Sequence, residues 1–320
     1  LYNRLKEQHA SLDISDSQQS NIDDLRDSNT FTVTTGHQLN VLCGPLFFIY
    51  KIVTTINTCL ELKQQYPDKN FIPVYWMASE DHDFAEINHC HLFGKKLIWE
   101  TNQSGAVGHM STSEIEPILN EFADIPELFK AYTKPNTSLA QATKEIVNSL
   151  FKNSGLLILD ADDKGFKNSF APFIKDDIIK RQNEKTIQET TDKLSLLDYK
   201  GQIHPREINF FYLEKGERNR IVFENDVYNV LNTSHSFSEK EIIELIDNSP
   251  ERFSPNVALR PLYQQFILPN IAYIGGPGEI VYWLQIKDMF DQNKVTFPAL
   301  MPRNFGLFIP KSINKKINKT

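Results

Sequence analysis

The sequence predicts an α/β fold organised on a mostly parallel sheet, and three observations predict it. Apolar runs of strand length recur along the chain with helical patterns between them. The runs are nearly unbroken rather than alternating, as expected of strands covered on both faces. The unusual polar residues come directly after those runs, at the carboxyl ends where parallel sheets bind ligands.

Taken in order, residues 1–30 read as an amino-terminal helical segment. The first strand is FTVTT, residues 31–35, and beyond the turn Leu46, Ile49, Tyr50, Val53, Ile56 and Leu60 recur at helical spacing. FIPVYWMA (71–78) and LLILDADD (156–163) are the next two strands. A fourth, 271–274, runs through Gly275, Gly276 and Gly278 into a helix, and FPALMPR (297–303) is the fifth. Between the third and fourth, residues 164–199 form a long helical pattern of Phe166, Phe170, Phe173, Ile174, Ile178 and Ile187. It carries Pro172, expected early in the helix or at a kink. INFFYLEKGERNRIVFE (208–224) reads as two short β runs around KGERNR, a hairpin, and Ser238 with Glu241 forms a capping box before IIELI. Residues 183–254 therefore read as a subdomain inserted between two parts of one core, 31–182 and 255–310.

Composition excludes several classes. The 320 residues, 40% hydrophobic with 22 phenylalanines, supply one large core. A net charge of -7 without an extended basic run speaks against nucleic acid as a partner. No apolar run approaches the roughly 20 residues of a membrane span and no leader pattern opens the chain, so a cytoplasmic protein is expected. Cys43, Cys59 and Cys90 form no C-x-x-C pair, so buried free thiols are expected rather than disulfides or a thiolate metal site. The chain opens at Leu1 and closes on the lysine-rich KSINKKINKT, and both ends read as cuts in a longer protein.

Three constellations could carry chemistry. In TTGHQLNVLCGPLFFIYK (34–51) a structural turn needs only glycine and proline, so Gly36, His37, Gln38, Asn40 and Gly44 before a helix amino terminus suggest an anion site. There the imidazole, neutral or charged, could stabilise a transferring phosphoryl group. The plain alternative is a polar turn with its hydrogen bonds satisfied. No P-loop and no dinucleotide fingerprint is present. In SEDHDFAEINHCH (79–91), successive polar residues after a buried strand are costly unless they meet ligand, metal or water. Ser79, Glu80, Asp81, His82 and Asp83 are the candidates. Glu86, His89 and His91 add metal-ligand types, but adjacent turn residues rarely aim at one ion, so transient magnesium with a nucleotide is expected rather than a permanent metal. In NVALRPLYQQFILPNIAYIGGPGEIVYWLQ (256–285), Gly275 and Gly276 admit a ligand to the backbone. Glu279 and Tyr282 share a helix face, and Arg260 offers a fixed charge for carboxylate or phosphate. The alternative is that Glu279 serves the helix dipole and pairs with Arg260.

These three motifs, in this order and at these separations, resemble the bacillithiol biosynthesis cysteine-adding enzyme family over about residues 34–303. The commoner family form has Gln where this chain has His37, and Pro-Gly where it has Asn40-Val41. The resemblance implies a Rossmann-like core similar to class I nucleotidyltransferases, with connecting insertions and a dimerising coiled coil, of which residues 311–320 would be the first turns. The chain alone is then expected to be monomeric. The resemblance further implies a ligase joining cysteine to glucosaminyl malate, with ATP and Mg2+ available to activate the cysteine carboxylate. His37, Gln38, Asp81, His82 and Asp83 would be catalytic, with Arg260 or Arg303 on the malate carboxylates. The rival from another class is a nucleotide- or thiol-binding regulatory module without catalysis.

Overall fold

The computed structural model describes residues 1–92, 94–307 and 309–318. Helices α1 (Tyr2–His9) and α2 (Asp16–Asp24) precede β1 (Thr30–His37), and α3 (Phe47–Gln65) returns the chain to β2 (Asn70–Met77). Helix α4 (Phe84–Ile87), the hairpin of β3 (His89–Leu92) and β4 (Lys95–Ile98), α5 (Glu116–Leu119) and α6 (Leu139–Phe151) lead to β5 (Leu157–Asp160). Next come α7 (Lys164–Lys180), α8 (Asn183–Ser195), β6 (Phe210–Glu214), β7 (Glu217–Glu224), β8 (Val227–Val230), β9 (Ser236–Phe237), α9 (Glu239–Asn248) and β10 (Phe253–Pro255). The last part holds α10 (Arg260–Ile267), β11 (Asn270–Gly275), α11 (Pro277–Gln285), α12 (Lys287–Gln292), β12 (Ala299–Pro302) and α13 (Lys311–Ile317).

All five apolar runs form one sheet in the order β12-β11-β1-β2-β5, and every neighbouring pair is parallel. The unbroken hydrophobicity of β2 has its reason in the packing. Ile72, Val74 and Trp76 join one core cluster with Phe170, Tyr263 and Trp283, while Tyr75 and Met77 join another with Phe48, Ile52 and Ile146. In the central strand β1, buried threonines find partners instead: Thr34 Oγ1 donates to Asn270 Oδ1 (2.8 Å) and Thr35 Oγ1 to the Ile274 carbonyl (2.8 Å).

Three expectations change. First, α3 buries Phe48, Lys51, Ile52, Thr55, Ile56 and Cys59, whereas Leu46 and Leu60 of the expected stripe are 52% and 58% exposed. The face on the sheet is mixed because Lys51 turns inward to a counter-ion and Thr55 returns its hydroxyl to the Lys51 carbonyl (2.9 Å). Second, the long helix of 164–199 is two helices. Pro172 lies inside α7 without ending it, and the break comes where Arg181 takes a left-handed φ of 52°. Third, the hairpin turn is only Lys215 and Gly216, so most of KGERNR is strand. That hairpin belongs to a second sheet, antiparallel, in the order β10-β6-β7-β8-β9. The capping box of Ser238 and Glu241 is present at α9.

Candidate active site

β1, β2 and β11 end side by side, and beyond their carboxyl ends lies a cleft of about 840 Å³. The strand ends contribute Gly36, His37, Gln38, Asp81, His82 and Asp83 to its lining. The far side comes from Arg206, from Phe211 and Arg218 of the second sheet, and from Arg260, Gly276, Glu279, Tyr282 and Arg303. Eleven of the sixteen residues singled out in the sequence thus meet around one cavity.

His37 is held by aromatic packing, stacked on Phe48 (4.9 Å between centroids) with Phe47 edge-on (5.5 Å). Burial, aided by the charge of Lys51, lowers its pKa well below the usual histidine value, so the ring is neutral. Its Nε2 is buried without a partner. Gln38 spends its amide on the acid motif, donating from Nε2 to Asp81 Oδ2 (3.1 Å) and Glu86 Oε2 (2.7 Å). Burial opposes ionisation of Asp81, but contacts with His82, Arg260 (Nη2 at 3.6 Å), Arg218 and Gln38 outweigh it and hold the carboxyl well below the usual range.

Arg218 fixes the state of His82. Its guanidinium is buried, stacked on Phe211 (3.9 Å), and donates to Ser254 Oγ and the Pro255 carbonyl, both at 3.0 Å. Nη1 donates to His82 Nδ1 at 2.7 Å, so that ring nitrogen is an acceptor and the hydrogen sits on Nε2. Burial lowers the Arg218 pKa to about 10, which leaves it charged at neutral pH. Asp83 caps α4, its Oδ1 accepting from Glu86 N (3.3 Å), and still faces the cleft.

On the other flank, Glu279 does not pair with Arg260. Its carboxylate receives Lys51 Nζ (2.8 and 2.9 Å), Tyr273 Oη (2.8 Å) and the Gly276 N–H (2.7 Å), closing the amino end of α11. Lys51 is fully buried and also donates to the Gly36 carbonyl; burial lowers its pKa while Glu279 pulls it back. Arg260 faces Asp81 instead. Arg303 lies over Phe47, the first residue of α3, at 5.2 Å.

Five expected residues lie off the cleft. Asn40 and Gly44 shape the turn itself: Leu42, Cys43 and Gly44 all have positive φ, and a Cβ on Gly44 would sit 2.4 Å from that of Asn40. Ser79 donates to Asp160 and Glu80 pairs with Lys167, so both are buried inside. Lys167 reaches Asp162 as well (2.7 Å), so Glu80 meets its counter-ion inside the protein rather than in the cleft. Gly275 packs on Tyr273, Glu279 and Ile280. Among the described residues no group of three or more His, Cys, Asp or Glu converges as a metal site, and His89 and His91 sit on the β3–β4 hairpin. Cys43, Cys59 and Cys90 are free. No helix among the described residues is long and apolar enough to cross a membrane.

Sequence reading missed Lys51, Arg218 and Gln264. The signal for Lys51 was a lone lysine in an apolar helix; for Arg218 it was the alternation of ERNRIVFE, hidden by assigning KGERNR to a turn. Gln264 lines the cleft with a buried Nε2 that has no partner, as do Trp76 Nε1, Trp283 Nε1 and Arg206 Nη1.

An all-parallel sheet with a charged cleft at its carboxyl edge defines a Rossmann-like α/β protein, and the cleft is its candidate site. The chain belongs to the bacillithiol biosynthesis BshC family, whose N-terminal Rossmann-like domain matches residues 1–304. Relatives named "Putative cysteine ligase BshC" include one from Flavobacterium psychrophilum, 49% identical over 100% of this chain and 62% of its own length. One from Flavobacterium johnsoniae is 47% identical with the same coverage, and one from Bacillus cereus 28% identical over 98% of this chain and 62% of its own. The chain spans about three fifths of the length of these curated relatives.

Proposed function

We propose that this chain carries the active-site cleft of a cytoplasmic ligase that joins L-cysteine to glucosaminyl malate, the last step of bacillithiol synthesis, with ATP activating the cysteine carboxylate. The observation that carries this reading is the mixed charge of the cleft: its lining brings Asp81, Asp83 and Glu86 together with Arg206, Arg218 and Arg260, and Arg260 lies against Asp81. Cysteine brings an ammonium and a carboxylate, and the acceptor brings an amine and two carboxylates. Both are matched by a cavity lined by carboxylates and guanidinium groups together.

An amide forms only when a carboxylate oxygen becomes a leaving group, and ATP supplies that activation. The residues fit phosphate at one place. The amino end of α3 has no side-chain cap and lies beside Arg303, whereas the amino end of α11 is already filled by Glu279. Magnesium would arrive with the nucleotide and keep mostly water and phosphate ligands, with Asp83 a carboxylate of the same cleft lining that could join them. In this reading Asp81 and Glu86, aligned by Gln38, hold an ammonium; Arg260 and Arg206 take carboxylates; the Nε2–H of His82, and His37 in the tautomer that carries its hydrogen on Nε2, donate to the negative charge developing on the carbonyl oxygen. The coiled coil expected beyond the cleft would supply dimerisation.

The test is turnover. Purified protein given cysteine, glucosaminyl malate and Mg-ATP should form bacillithiol detectable by mass spectrometry. Cysteine should also drive exchange of labelled pyrophosphate into ATP without the acceptor. Product formed with no nucleotide consumed would reject ATP activation. Tight nucleotide or thiol binding with no product under any condition would favour the regulatory module.

A further inference from the structure

Asp177, near the end of α7, is fully buried and belongs to no salt bridge among the described residues. Its partners are all amide donors. Oδ1 accepts from Asn183 Nδ2 (2.8 Å) and Asn209 Nδ2 (3.1 Å), and Oδ2 from the Asn209 backbone N–H (2.7 Å). Only a carboxylate accepts on both oxygens, so an asparagine here would turn an NH2 toward another donor.

Asn209, thus held, carries two further segments. Its Nδ2 donates to the Arg206 carbonyl (2.8 Å) and its Oδ1 accepts from Arg206 N (3.3 Å), which clasps the loop presenting Arg206. The same Oδ1 accepts from Asn256 Nδ2 (2.9 Å), and the Asn209 carbonyl from Asn256 N (2.9 Å). Asn256 in turn accepts on Oδ1 from the N–H groups of Ala258 (2.9 Å) and Leu259 (3.2 Å), and on its carbonyl from Arg260 N (3.0 Å). One buried carboxylate therefore suspends the backbones of both Arg206 and Arg260.

The two arginines are unequally satisfied. Arg260 faces Asp81, but Arg206 Nη1 is buried without a partner, and burial together with Arg220 disfavours its charge. A guanidinium left this way is suited to a ligand anion.

We infer that Asp177 is a positioning residue that, through Asn209 and Asn256, sets Arg206 and Arg260 as one two-arginine fork for a dicarboxylate. This rests on the reading of the cleft arginines as carboxylate-binding, so the experiment needs one readout that requires no ligand. That readout is the rate at which phenylglyoxal modifies each arginine, followed by peptide mass spectrometry. Asp177→Asn should change the rates at Arg206 and Arg260 at least threefold, with Arg303 unchanged and buried Arg218 still protected. Asn256→Ala, which cuts the relay beyond Arg206, should change Arg260 alone.

The second readout is malate binding by calorimetry. Asp177→Asn should weaken it about tenfold, and Arg206→Ala should cost little more in that background than in none. Unchanged labelling of Arg206 and Arg260 overturns the inference, and so do additive losses of affinity. Altered labelling with no malate binding to the unmodified protein supports the role of Asp177 and overturns the carboxylate reading of the arginines. If Asp177→Asn yields no folded protein, Asn256→Ala decides alone, and unchanged Arg260 labelling then overturns the relay.

Discussion

Two neighbouring strands, β1 and β11, each end in a glycine-containing turn that feeds a helix, and the turns do opposite things. From β1 the chain takes nine residues to reach α3, through three positive φ values, and the helix begins without a side-chain cap. From β11 it takes one, Gly276, and the helix begins with its own Glu279 folded back on that residue's N–H. A helix amino terminus attracts an anion from wherever one is offered. At α11 the anion is internal; at α3 no side chain takes that place, and Arg303 lies beside it. Lys51 joins the two, since the open helix sends its lysine to neutralise the carboxylate that closes the other. Glycine in a strand-to-helix turn is therefore no measure of phosphate binding until the fate of the helix end is known.

The sharpest way to break this comparison is Lys51→Met. It leaves Glu279 and the Gly36 carbonyl without their cation, and urea unfolding should show a loss of about 3–5 kcal/mol, the usual result of removing one member of a buried pair. Adding Glu279→Gln should recover part of it; no recovery would mean the lysine acts by packing alone. Next in size is Arg303→Ala, expected to weaken ATP binding roughly 30-fold by calorimetry if α3 is the phosphate end, whereas an unaltered affinity would move the nucleotide elsewhere.

His37→Gln tests the first turn through pH. A histidine kept neutral by burial binds its proton less readily folded than unfolded, so its contribution is full above the unfolded value of about 6.5 and is lost as pH falls toward the depressed folded one. Stability of the unmodified protein should thus fall by up to about 1.4 kcal/mol per pH unit below 6.5 from this group, and the glutamine variant should lack that slope. The smallest effect belongs to Gly276→Ala. Its φ is -74° and the new Cβ meets Glu279 Oε2 at 3.3 Å, so stability and ATP affinity should change by under about 0.5 kcal/mol; a large loss of affinity would return α11 to the list of phosphate sites.

The strands were legible because burial on both faces writes itself as an apolar run, and β2 is the clearest case. The cleft was legible where polar residues had no structural reason to follow such a run, as with His37, Asp81 and His82. Legibility failed where a polar residue was used from within. Glu80 looked like its neighbours, but its partner Lys167 is far along the chain and no local pattern announces it. Lys51 failed for the converse reason, as a charge inside an apolar helix whose counter-ion sits on another motif. Asn40 and Gly44 read as ligand groups, yet lie off the cleft, because a turn with three positive φ values needs the same small and polar residues as a binding loop.

The position of β1 between β2 and β11 has a consequence during synthesis. Thr30 pairs with Asn70 almost at once, but Thr32 waits for Asn270. At translation rates of about 5–20 residues per second, the stretch between β5 and β11 keeps one edge of the nascent sheet unpaired for roughly 5–20 s. An open strand edge is a template for pairing with another chain, so this interval is when the growing sheet is exposed to mispairing. The hydroxyls of Thr32, Thr34 and Thr35, which bond Asn270 and the Ile274 carbonyl in the finished fold, have no such partners until β11 is made.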